Sequence, residues 1–75
     1  MANNQLEVDA RKLVCPMPLL KLKQALNQMV KGDVVLLKAS DPTSKRDVLA
    51  YAKMAHHKVQ LDDMGNEFHF LVTKG

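Results

Sequence analysis

The sequence holds one cysteine, no tryptophan, one tyrosine, two phenylalanines and only three glycines among its 75 residues. A single thiol cannot close a disulfide within the chain, which excludes the stapled framework of small secreted domains. With so few aromatics the core must be mostly aliphatic. No aromatic interleaves with the basic residues to stack on bases, so direct nucleic-acid binding is disfavoured. No apolar run approaches the roughly 20 residues of a membrane helix, and the opening MANNQLEVDARK lacks the apolar segment of a signal peptide. The expected setting is cytoplasmic, without membrane contact.

What is present is ordinary for a globular chain: 47% hydrophobic and 25% charged residues. One domain, 1–75, is expected, with residues 1–4 disordered. The net charge of +3 is unevenly spread. Residues 1–31 carry Arg11, Lys12, Lys21, Lys23 and Lys31 against Glu7 and Asp9, whereas residues 32–75 balance six basic groups with six acids. The excess therefore surrounds the cysteine. Its plain reading is a solvated helix face and a loop.

Leu6 and Val8 alternate with polar neighbours, which predicts a first strand with one buried face. From Pro16 the period changes. Leu19, Leu22, Leu26 and Met29 recur at helical spacing, with Pro16 suited to the first turn and Gly32 to the helix end. VVLLKA (34–39) is the continuous apolar run of a central strand. Asp41-Pro42 then repeats the arrangement of Cys15-Pro16, and Ser44 with Asp47 has capping-box spacing. Val48, Tyr51, Ala52 and Ala55 mark a second amphipathic helix, with His56 and His57 placed to suit the negative end of its dipole. KVQLD alternates as a strand, DMGN is a turn, and Phe68, Phe70 and Val72 line one face of a last strand. The order β-α-β-α-β-β, with right-handed crossovers and a terminal hairpin, predicts an α/β two-layer sandwich (α+β): a mixed four-stranded sheet with two helices on one face.

Cys15 falls at the predicted start of the first helix. A thiolate there meets the positive end of the dipole and free backbone N–H groups, with Met17 and Leu19 the nearest donors. Pro16 and Pro18 stiffen the turn. Such a position lowers a thiol's pKa, and Arg11, Lys12 and Lys21 add to the effect. The contrary reading is a small buried residue. The frame excludes several chemistries. Pro18 occupies the partner position of a Cys-x-x-Cys dithiol, and Lys21 stands where a cysteine phosphatase would want arginine. None of His56, His57 and His69 is spaced as a base for Cys15 or as a metal ligand with it, so no metal or cofactor is expected. What survives is chemistry that needs one exposed thiolate: accepting a group on sulfur and passing it on.

VDARKLVCPMP, KGDVVLLKASDPTSKRDV and AHHKV resemble the TusA/SirA family of small sulfur-carrier proteins from about Leu6 to the end. The marks are Asp9, Leu13, Cys15, Pro16 and Pro18; Gly32 before the strand at Val34 to Leu37; Asp41, Pro42 and Asp47; and His57. The resemblance implies strand order 1-2-4-3 and a persulfide sulfurtransferase acting as a carrier rather than a multiple-turnover enzyme. Cys15 would take sulfane sulfur from a cysteine desulfurase or another persulfide donor and pass it to a downstream acceptor protein, in tRNA thiolation or related sulfur metabolism. Arg11, Lys12, Met17, Lys21 and Arg46 are candidate contacts for persulfide or partner. Two departures stand out. Many members have glycine where this chain has Lys12 and His56, so the first loop is expected to be strained or rerouted and the exit from the second helix less tight.

Two other readings compete. One is a non-catalytic regulatory or binding module that contacts protein or RNA through the basic face around residues 11–23. The other is a peroxide-sensing thiol.

Overall fold

The computed structural model describes residues 5–14 and 16–75. The expectation of disorder at residues 1–4 and the reading of Cys15 itself lie outside the described residues. Six elements follow in the order β1 (Gln5–Ala10), α1 (Met17–Asn27), β2 (Val34–Ala39), α2 (Pro42–Met54), β3 (Lys58–Asp63) and β4 (Phe68–Thr73). They build one mixed sheet in the order β1-β2-β4-β3. β1 lies parallel to β2, and β4 runs antiparallel to both β2 and β3.

The period-2 patterns explain which face is covered. Val35, Leu37 and Ala39 of β2 alternate in burial with Val34, Leu36 and Lys38, and on β4 Phe68, Phe70 and Val72 alternate with His69, Leu71 and Thr73. In register these apolar positions form rows across the strands, such as Leu37 opposite Phe70 and Ala39 opposite Phe68. α1 closes over them with Pro18, Leu22, Ala25 and Leu26, and α2 with Val48 and Ala52. Phe70 and Leu22 are fully enclosed, so truncating either to alanine costs about 3–5 kcal/mol. The opposite sheet face carries a polar row: Asp9, Lys38, His69 and Asp62 pair in register across all four strands.

Several boundaries differ from expectation. α1 ends at Asn27 with Gln28 as its cap, well before Gly32. This end is met from across the fold: Lys74 Nζ donates to Leu26 O in the last turn and to Met29 O just past the cap, each at 2.7 Å. A cation at a helix C-terminus is favoured by the dipole as well as by the hydrogen bonds. Gly32 instead takes φ 95° in the loop, where its N–H reaches Lys74 O at 2.9 Å. α2 is capped by Asp41, whose carboxylate accepts from Thr43 N and Thr43 Oγ1, and no Ser44–Asp47 capping box forms at its start. Ser44 faces inward, 1% exposed, and its hydroxyl has no hydrogen-bond partner among the described residues.

The exit from α2 is tight, contrary to expectation. His56 adopts φ 61°, its N–H reaches Lys53 O, and the His57 N–H reaches Ala52 O at 2.8 Å. This pair of bonds is a complete Schellman motif, with His56 in the left-handed position that glycine usually fills. His57 does not serve as a cationic cap. Its Nδ1 accepts from Gly75 N at 3.0 Å, and burial, then Lys74 and His56, push its pKa below the ordinary histidine value.

Candidate functional site

Because β1 and β2 are parallel, both strands end at the same end of the sheet, and both helices start there. The loop from Arg11 to Pro16 lies at that end. Its described residues are fixed on either side of Cys15. The Leu13 N–H donates to Ala10 O at 3.3 Å, the Met17 N–H to Val14 O at 2.9 Å, and the Leu20 N–H to Pro16 O at 3.0 Å. Met17 therefore spends its backbone donor on the turn rather than offering it to a ligand. Pro16 is the N-cap residue rather than the first helical residue, and Pro18 follows in the first turn, fully buried. Pro18 thus anchors the helix start to the core. Pro16 stands exposed beside the cysteine position.

The residues around Pro16 form an apolar rim. Val14 is 70% exposed, and Met17 and Leu20 are each 42% exposed. Leu20 falls off the stripe that runs through Leu22 and Leu26, and that offset is the sequence signal by which it could have been found. The first turn of α1 has no acidic residue and no side-chain cap. An anion placed at this terminus therefore meets no carboxylate from the turn itself, and the dipole favours it.

The basic residues separate into distinct roles. Arg11 is committed elsewhere: its Nε and Nη2 grip the Asp9 carboxylate at 2.9 and 2.8 Å, and Nη1 comes within 3.6 Å of Glu67 Oε2. This fork holds the Asp9 carboxyl far below the usual carboxylate range and raises the Arg11 pKa. Glu67 is held low first by its hydrogen bond with His69 and further by Arg11. The Arg11 guanidinium is thus engaged by two acids of its own, Asp9 and Glu67. Lys12 keeps the loop's path by adopting φ 68°, and its N–H donates to Ser40 Oγ at 2.8 Å. The left-handed backbone costs about 1 kcal/mol for a residue with a Cβ. Lys12 and His56 are the only non-glycine residues with positive φ among those described. Strain accordingly falls at the two positions where the resemblance led us to expect glycine.

Lys21 is half-buried on α1, and Arg46 is exposed in the second turn of α2. Their helices both begin at the same end of the sheet. Lys45, next to Arg46, is instead paired with Asp63 at 2.8 Å. A cleft of about 630 Å³ opens beside the loop, lined by Asp9, Arg11, Lys12, Leu13, Ser40, Asn66 and Glu67. Ser40, Asn66 and Glu67 were not singled out in the sequence, because strand order alone brings the start of β4 beside the end of β1 and β2. No helix among the described residues is long and apolar enough to cross a membrane.

Comparison with known proteins agrees with this architecture. Residues 6–74 match the model of the family described as sulfurtransferase TusA. The chain is 40% identical over 75 residues to a sulfur carrier protein TusA of Allochromatium vinosum, covering 99% of each chain. It is 33% identical over 69 residues to a putative sulfur carrier protein, YrkI, of Bacillus subtilis, covering 91% of this chain and 92% of that one. The crystal structure of a SirA-like protein from Desulfitobacterium hafniense superposes with a TM-score of 0.84 at 21% identity, over 93% of this chain and 97% of the other. That likeness shows the shared fold.

Proposed function

The chain belongs to the TusA sulfurtransferase family of sulfur carriers, and from that premise we propose that Cys15 carries sulfur as a persulfide between two partner proteins. The Cys15 thiolate attacks the terminal sulfur of a donor persulfide, R–S–SH. A new S–S bond forms on Cys15, the donor's S–S bond breaks, and the donor thiol leaves with the electron pair. The reverse exchange hands the terminal sulfur to an acceptor thiol. No external oxidant or cofactor is required, because the sulfane sulfur arrives already oxidised.

One observation carries this reading above all. Pro16 caps α1, whose first turn holds no carboxylate and whose flanks are the exposed Val14, Met17 and Leu20, and Cys15 is the residue next to that cap in the chain. A thiol at a helix N-terminus is drawn toward its thiolate, the nucleophilic form. An apolar rim suits docking against a protein that brings a second sulfur within reach. Pro16 and Pro18 hold the turn stiff on one side, and the Val14–Met17 bond does so on the other. The sulfur donor is a cysteine desulfurase or a similar persulfide-bearing protein, and the acceptor is a downstream thiol protein.

Incubation with a cysteine desulfurase and cysteine, followed by intact-mass measurement, tests this reading. The expected product is heavier by one sulfur, and the gain is lost on reduction and absent in Cys15→Ser. No gain from any persulfide donor, with the protein folded, contradicts it.

A further inference from the structure

Charge around the cleft beside the cysteine loop is unevenly spent. Arg11 is saturated by Asp9 and Glu67, and Glu67 is also bonded to His69. Lys12, the next residue, is exposed, and among the described residues its ammonium makes no ion pair. Yet its backbone is held under strain, at φ 68° with the N–H on Ser40 Oγ. A lysine gains nothing for itself in the left-handed region. Strain kept next to a reactive group points to a task for the side chain that bears it. Lys12 precedes Cys15 by three residues, so their Cα atoms are no more than about 11 Å apart. Roughly one Debye length at ~0.1 M salt spans that distance. Lys12 also lines the cleft beside the loop, together with Ser40 and Asn66.

Resting on the reading of Cys15 as the sulfur-carrying thiol, the geometry points to Lys12 as a specificity-determining residue. Its ammonium selects exchange partners that carry a carboxylate beside the reacting sulfur. Arg11 contributes little to this selection, because two acids already cancel its field. A neutral partner gains nothing from Lys12, whereas a carboxylate-bearing one is drawn to the thiol and held there.

Two small disulfides serve as probes: the dianionic dithiobis(nitrobenzoate) and the neutral dithiodipyridine. In each reaction the Cys15 thiolate bonds to one probe sulfur, the probe's S–S bond breaks, and the other half leaves as its thiolate. The rate ratio, anionic over neutral, isolates charge selection from thiol reactivity. At low salt the ratio is expected to fall roughly two- to fivefold in Lys12→Gly and to recover in Lys12→Arg. High salt should bring the Lys12→Gly and unmodified proteins together. Lys12→Gly releases the backbone strain and should melt no lower than the parent, so unfolding would not mimic the loss. An unchanged ratio in Lys12→Gly, or no recovery in Lys12→Arg, overturns the inference while Cys15 still accepts sulfur in the mass assay. Failure of sulfur uptake itself overturns the carrier reading on which the inference rests.

Discussion

The two helix entries look alike in sequence and differ in structure. Asp41-Pro42 opens α2 with proline as its first residue, and the Asp41 carboxylate accepts from Thr43 N at 3.1 Å and Thr43 Oγ1 at 2.9 Å. Cys15-Pro16 leads into α1 one residue out of step: Pro16 is itself the cap and makes no side-chain cap bond, and Pro18 is buried in the first turn. One terminus is closed by its own anion. The other has no carboxylate in its first turn. That difference teaches why the second proline-led entry is structural, whereas the first suits a nucleophile.

The largest effect expected from breaking this contrast comes from Pro16→Asp. A carboxylate cap on α1 would compete with the thiolate for the same dipole and donors, so alkylation of Cys15 at neutral pH should slow by about tenfold, following a rise of about one pKa unit. Next is Asp41→Ala, which strips the cap from α2 and should lower stability by about 1 kcal/mol in denaturant unfolding. Ser44→Ala removes the unpartnered buried hydroxyl in the same helical turn. It should have the opposite sign, neutral to about 1 kcal/mol stabilising.

The smallest effect lies at the helix exits. His57 is held below the ordinary histidine pKa, so the unfolded chain binds its proton more readily. Its contribution is present above about pH 6.5 and is lost as pH falls from there through the folded value. Melting temperatures of the parent protein should therefore drop more between neutral and mildly acid pH than those of His57→Phe, which keeps a ring beside Tyr51.

Much of the fold was legible because its signals are local. The VVLLKA run is β2 as read, and the alternation of Phe68, Phe70 and Val72 marks the covered face of β4. Leu22 and Leu26 are on the buried stripe of α1. The strand order came from the family likeness and matches the sheet, since spacing alone does not say which edges pair. What escaped was set at a distance. The end of α1 is fixed by Lys74, 48 residues beyond Leu26 in the chain, so a search for a nearby glycine settled wrongly on Gly32. The Glu67 partner of Arg11 was not legible, because Glu67 lies 56 residues on, just before β4, and only the fold brings the two together. Asp41 caps α2 as its place before Pro42 suggested, whereas the Ser44–Asp47 spacing misled, because packing turns Ser44 inward. At the site, the motif carries the identity of Cys15, Pro16 and Pro18. The exposed rim of Val14, Met17 and Leu20 needed the fold to appear.

The most direct measurement is the pH dependence of Cys15 alkylation in the folded protein. An ionised, accessible sulfur at an open helix start predicts full reaction with a midpoint clearly below the free-thiol value of about 8.5. A midpoint at or above that value, or a thiol that reacts only after unfolding, would contradict the account.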